Sequence, residues 1–134
     1  MKEFSLQIVT PDKTVPIEKA TSLLIRTTSG DVEILAGHTD LLAAIGTGRA
    51  RIRTADGSDT FASVSGGFLS VSGGVVRVAA TTFELASELD LSRAQAAKEK
   101  AEQAIRTAKS GVEIELARAK LQRALSRINV KSMK

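Results

Sequence analysis

Val75-Val76-Arg77-Val78-Ala79-Ala80 is followed, a few residues on, by Leu89-Asp90-Leu91-Ser92-Arg93-Ala94. The first run alternates as a half-buried strand does. The second opens a stretch in which alanines recur at intervals of three and four, the period of a helix face. The chain changes character between them, near residue 85. Nine of its ten glycines and both prolines lie in the first 74 residues, and only Gly111 follows. The sequence therefore predicts a β-domain over residues 1–85 and a two-helix antiparallel hairpin over residues 86–134, a mainly β fold with an α appendage.

Upstream of the switch the pattern is that of short strands and turns. Phe4, Leu6 and Ile8 alternate with Ser5, Gln7 and Val9. Strand patterns also cover Leu23 to Thr27, Val32 to Leu35, Leu41 to Ile45, Ala50 to Ile52, Phe61 to Val64 and Phe68 to Val71. Turns are expected at Pro11-Asp12, Ser29-Gly30, Gly37-His38, Asp56-Gly57, Gly66-Gly67 and Gly73-Gly74. Strand-sized runs joined by short turns indicate an antiparallel sandwich or barrel. With no βαβ rhythm, a nucleotide site of the doubly wound type is not expected.

Downstream, Ala94, Ala97, Ala101, Ala104 and Ala108 form one apolar seam, and Ile114, Ala117, Leu121, Ala124 and Ile128 form another. Each alanine hides about one methyl group, worth roughly 0.8 kcal/mol. A hairpin held by alanines is expected to close and to open readily.

Residues 1–84 carry 8 Lys/Arg and 9 Asp/Glu, whereas residues 85–134 carry 11 and 6, so the net charge of +4 resides on the helices. A basic helix pair calls for an anionic partner. Nucleic acid is disfavoured because acids are interleaved with the bases and no aromatic follows Phe83 to stack on a base. Direct membrane insertion is not expected: no run approaches about 20 apolar residues, and the start lacks a signal-peptide core. There is no cysteine and only one histidine, His38, so thiolate and paired-histidine metal sites are excluded. No catalytic constellation is visible, and no enzymatic activity is expected of the chain itself. Arg49, Arg51 and Arg53 share one strand face, read either as a solvated face or as a docking face for an acidic partner.

If the hairpin turns near Ser110, Arg93 lies opposite Arg127 and Ala97 opposite Arg123. Arg123 and Arg127 are one helical turn apart. Three guanidinium groups would then converge and repel one another unless an anion sits between them, and a polyphosphate suits their fork geometry. The alternative is that they point outward and pair with Glu88, Glu99 or Glu102. Asp90 has two readings as well: a cap for the first helix, alone or with Ser87 in a capping box, or a ligand acceptor.

These stretches resemble a known family, the epsilon subunit of bacterial F-type, proton-driven rotary ATP synthases. Leu6-Gln7-Ile8-Val9-Thr10-Pro11-Asp12 is similar to its opening strand and turn. Residues 29–41, with Ser29-Gly30-Asp31 and Gly37-His38, resemble its S-G-x-x-G-I-L-P-G-H-x-P-L signature. Val64-Ser65-Gly66-Gly67-Phe68 matches V-S-G-G-F. Glu33, Ala36, Asp40 and Ser70 depart from the usual residues. Leu89-Asp90-Leu91-Ser92-Arg93-Ala94 fits the I/L-D-x-x-R-A motif of members, such as those of bacilli, whose hairpin binds ATP.

The resemblance implies a ten-stranded β-sandwich followed by two helices. It implies a central-stalk subunit, peripheral on the cytoplasmic face of the cell membrane, whose sandwich docks on the gamma subunit and the c-ring. The loop with Ser29, Gly30, Asp31, Gly37 and His38 is implied as part of that contact. It further implies ATP as a regulatory ligand, which magnesium can accompany without a dedicated metal cluster. Arg93, Arg123 and Arg127 would hold the phosphates, with Lys100 where relatives carry a further arginine. Glu84, Leu89, Asp90 and Ala94 would surround adenine and ribose. Extended, the hairpin would reach the alpha and beta subunits and inhibit ATP hydrolysis. Alternatives are a stalk adaptor that never binds nucleotide and a basic nucleic-acid-binding module.

Overall fold

The computed structural model describes residues 2–133. The strands are β1 (Phe4–Val9), β2 (Thr14–Val15), β3 (Lys19–Ala20), β4 (Ser22–Thr27), β5 (Gly30–Leu35), β6 (Leu41–Arg53), β7 (Asp59–Ser72) and β8 (Val75–Leu85). A turn of 3-10 helix (Ala86–Glu88) leads into α1 (Leu91–Thr107) and α2 (Gly111–Met133). The strands hydrogen-bond in the order β2-β1-β8-β7-β6-β4-β5, with β3 also on β1.

The three long strands explain how one hydrogen-bonded path makes a sandwich. The N-terminal part of β6 (Leu41–Ala44) pairs with the C-terminal part of β7, which pairs with the start of β8 and through it with β1. The C-terminal part of β6 (Gly48–Arg53) instead lies between β4 and the start of β7. Each long strand thus contributes a segment to two layers. Buried side chains of both join one core, among them Leu6, Ile8, Leu69, Val76 and Val78 from one side and Leu23, Ile25, Ile34, Ile52 and Val64 from the other. Eight continuous strands therefore stand where ten were implied. Gly66 and Gly67, expected as a turn, lie inside β7, and Gly46 and Gly48, between two expected strand patterns, lie inside β6. In β7, Gly66 and Gly67 adopt φ +71° and +96°, which lets the strand bend without breaking. The β4–β6 ladder changes register between the pairs Ile25–Ala50 and Thr27–Ile45, an irregularity in which β6 advances five residues while β4 advances two.

One ladder departs from the antiparallel expectation: β1 runs parallel to β8. No hairpin constrains this pair, because the rest of the sandwich connects them, and a parallel pair needs such a long crossover. Gly73-Gly74 forms the two-residue turn between β7 and β8, with both φ positive.

The helices fold back on each other and on the sandwich. Asp90 caps α1, accepting from the Arg93 backbone N–H at 3.1 Å. The Ser87 capping box does not form, because Ala86–Glu88 is a separate turn closed by Glu88, whose carboxylate accepts from Leu85 N–H. Ser110 accepts from Glu113 N–H at 3.1 Å, and Glu113 accepts from Lys109 N–H at 2.8 Å, so α2 starts firmly at the turn. Ala94, Ala101, Ala117 and Ala124 are buried in the seam as expected. Ala104 is exposed; Ile105 turns inward instead, as the seam drifts around the helix.

Candidate functional site

The joint between sandwich and hairpin is assembled from three elements. β8 delivers Glu84, the N-terminus of α1 delivers Leu89, Asp90, Arg93 and Ala94, and the last turns of α2 deliver Arg127. Together with Glu88 and Ala97 these residues line a cleft of about 190 Å³. Leu89 and Ala94 are buried and give it an apolar floor, while Arg93 and Asp90 stand at its exposed mouth. Asp90 is placed by its capping bond, which occupies one carboxylate oxygen.

The charges at the cleft are partly committed. Arg127 Nε donates to Glu84 Oε1 at 2.7 Å, an ion pair about two-thirds screened from solvent. Glu88 pairs with Lys13 at 2.8 Å rather than with an arginine. The Lys13 ammonium, with the Leu85 N–H behind it, holds the Glu88 carboxyl below its ordinary range. Neither Arg93 nor Arg123 makes an ion pair among the described residues, so pairing with Glu88, Glu99 or Glu102 does not occur there.

Of the eight residues singled out for nucleotide, six meet in this cleft: Glu84, Leu89, Asp90, Arg93, Ala94 and Arg127. Arg123 and Lys100 do not line it. Helical rise explains the difference. Arg123 lies one turn, about 6 Å, above Arg127, and Lys100 lies seven residues, about 10 Å, beyond Arg93. They stand farther along the hairpin, toward its turn at Ser110. Glu88 and Ala97 were not among the residues expected around the nucleotide; the i, i+4 spacing from Arg93 to Ala97 was the available signal for the latter. Among the described residues, no group of three or more His, Cys, Asp or Glu could hold a metal ion.

The residues expected to form one contact loop separate into two turns at the ends of β5. Gly30 (φ +117°) and Asp31 follow the β4–β5 turn at Ser29, where Arg26 Nε bonds Asp31 at 2.6 Å. Gly37 (φ +84°) and His38 follow β5, and the His38 Nδ1 lies 2.7 Å from the Thr39 carbonyl oxygen.

Four polar contacts tie the hairpin down besides packing. Ser126 Oγ meets Ser63 Oγ and the Gly48 carbonyl, each at 2.8 Å; Arg127 meets Glu84; and Lys131 Nζ donates to the Ala86 carbonyl at 3.0 Å. At a net worth of about 1 kcal/mol each, these contacts total only a few kcal/mol. That range is accessible to a ligand or a partner.

Fold and site together define a β-sandwich protein bearing a folded-back two-helix arm with a charged cleft at the joint. The family model described as ATP synthase, Delta/Epsilon chain, beta-sandwich domain matches residues 3–86, and that described as the long alpha-helix domain of the same chain matches residues 87–132. The chain is 37% identical to the ATP synthase epsilon chain of Ruminococcus albus and 35% identical to that of Bacillus cytotoxicus, in each case over 134 residues and the whole of both chains. The chain belongs to the epsilon-chain family of bacterial F-type ATP synthases. Its fold is similar to a chain in the Euglena gracilis mitochondrial ATP synthase structure of OSCP, F1 and c-ring, with a TM-score of 0.84 at 20% identity, covering 98% of this chain and 82% of that one. A chain of the Tetrahymena thermophila mitochondrial central stalk and c-ring gives 0.62 at 14% identity. Among the described residues, no helix is long and apolar enough to cross a membrane.

Proposed function

We propose that this chain is a central-stalk subunit whose sandwich docks on the gamma subunit and the c-ring, at the cytoplasmic face of the cell membrane, and whose hairpin senses ATP. With ATP in the cleft, the hairpin lies against the sandwich and rotation proceeds. Without it, the basic α2 rises toward the alpha and beta subunits and blocks ATP hydrolysis. The ligand biases a two-state element because it has a complete site in one state only. The chain contributes no catalytic step of its own.

One observation carries this reading: with the hairpin folded back, side chains from β8, α1 and α2 line a single cleft. The residues fit an anionic nucleotide. Arg93 offers an unpaired guanidinium among the described residues, Arg127 a second held by Glu84, and Leu89 and Ala94 an apolar surface. At about 190 Å³ the cleft is smaller than the roughly 300–1,000 Å³ of a full small-molecule site. It therefore accommodates part of the nucleotide, and the remainder extends up the hairpin toward Lys100 and Arg123.

That small volume and the existing Arg127–Glu84 pair favour a second reading, an adaptor whose arginines serve only protein contacts. Calorimetric titration of the chain with ATP separates the two. The sensor reading expects binding that weakens at least tenfold in Arg93→Ala and in Arg127→Ala; no binding, or equal affinity in both variants, leaves the adaptor. Repeating the titration with and without magnesium tests whether the cation accompanies the nucleotide.

A further inference from the structure

A second groove lies on the opposite flank of α2. Arg26, Thr47 and Arg49 form its sheet wall and Gln122, Ser126 and Asn129 its helix wall, around about 560 Å³, within the ordinary range for small-molecule sites. No residue lining it is acidic.

Two features show that its charge is arranged rather than incidental. The row Arg49, Arg51, Arg53 is neutralised at two of its three positions. Arg51 bonds Glu33 at 3.1 Å, and Arg53 grips Asp59 through both Nε and Nη2. Arg49 makes no ion pair or side-chain hydrogen bond among the described residues and faces the groove, its charge felt by the Asp31 carboxylate that Arg26 holds. Arg26, for its part, is seated by glycines. A Cβ on Gly48 would stand 2.9 Å from Arg26 Cβ and Cγ, and one on Gly46 would stand 3.3 Å from Arg26 Cγ. Neither glycine has a positive φ, so their role here is space: the bare backbone of β6 lets the Arg26 stem lie flat across it. Only Nε of Arg26 bonds Asp31, which leaves its Nη groups for a ligand.

We infer that this groove is a second anion site, which takes a phosphate group between the Arg26 and Arg49 guanidinium groups and the Gln122 and Asn129 amides, and so latches α2 onto the sandwich. Two guanidinium forks plus neutral amide donors suit the several acceptor oxygens of a phosphate better than a spherical anion such as chloride. Because one wall is sheet and the other is α2, the site exists only with the hairpin down, and its occupant must favour that state. It shares no residue with the cleft at the joint and does not depend on nucleotide binding there.

The test is titration of the full chain with inorganic phosphate, pyrophosphate and ATP at constant ionic strength maintained with chloride, followed by calorimetry and by the NMR signals of the Gln122 and Asn129 side-chain amides. The inference expects these amide signals to shift with phosphate or pyrophosphate. It expects Arg49→Gln to weaken that binding at least tenfold, while Arg93→Ala leaves it within twofold. An ATP isotherm that also weakens in Arg49→Gln would identify nucleotide as a source of the phosphate; one that does not would identify free phosphate. Unmoved amide signals in the unsubstituted chain overturn the site whatever the variants do, as does equal affinity in Arg49→Gln. Loss of ATP binding in Arg93→Ala alone bears only on the joint cleft.

Discussion

Gly67 carries the tightest backbone constraint in the chain. Its φ is +96°, and a Cβ there would fall 1.9 Å from the Ala79 carbonyl oxygen on β8. Backbone strain and a clash with a backbone atom add, so Gly67→Ala should destabilise the sandwich by about 2–5 kcal/mol, seen as a lower urea midpoint. Ser126 is a different kind of point contact. It reaches both Ser63, which is buried, and the Gly48 carbonyl. Ser126→Ala should cost about 1–3 kcal/mol, since Ser63 loses its partner away from water. Hydrogen exchange should locate that loss in α2, while the amides of β7 keep their protection.

The junction between β8 and α1 is governed at the scale of elements by Glu88. Its carboxylate accepts from Lys13 on the β1–β2 turn and from Leu85 N–H at the end of β8, so one side chain staples three segments. Its folded pKa is lowered, chiefly by the Lys13 bond. The stabilisation is therefore present above the ordinary glutamate value and fades as pH falls through the lower folded value. The pair is largely exposed, so the effect is small. Thermal melts between pH 3 and 6 should show Glu88→Gln with a flatter pH dependence than the unsubstituted chain; parallel curves would remove this role. The hairpin itself is held by small side chains. Ala94, Ala101, Ala117 and Ala124 are buried but hide little area each, and Val130 is the largest fully buried side chain that α2 adds. Under the proposed function, packing of this kind would permit reversible opening.

For the whole molecule, the decisive fact is that the main core contains no helix residue. Every side chain in it, from Phe4 to Phe83, belongs to the sandwich. A chain ending at residue 88 should therefore fold, with a cooperative melt and a β-type circular dichroism spectrum. A molten product would show that the hairpin is an integral part of the core. Under the proposed function, this independence would let the sandwich stay folded while the hairpin moves.

How much of this was legible from residues alone differs by feature. The boundary near residue 85 and the helix pair were plain, because a change of period is local information. The strand at Phe4–Val9 alternates in burial as its side chains alternate in type. Strand continuity was not plain: Gly66-Gly67 looks like a turn in sequence, and only the β8 backbone running alongside shows it to be a bend within a ladder. At the joint, a turn at Ser110 was enough to set Arg93 near Arg127. It could not show that Arg123 and Lys100 stand a turn or more away from the cleft, nor that Glu84 already holds Arg127.

The order of residues, by itself, determined the two-part architecture, the placement of the basic excess on the hairpin and the absence of thiolate or paired-histidine chemistry. Those follow from periodicity and residue type, which act over a few neighbours. Tertiary structure decided which charges are paired and which face grooves: Arg51 and Arg127 find Glu33 and Glu84, 18 and 43 residues away, and Arg53 finds Asp59 across the β6–β7 hairpin, while Arg49 and Arg93 face grooves. The reason is that an ion pair forms between side chains brought within about 4 Å, and that distance is set by strand register for Arg51 and Arg53 and by the packing of α2 on the sandwich for Arg127.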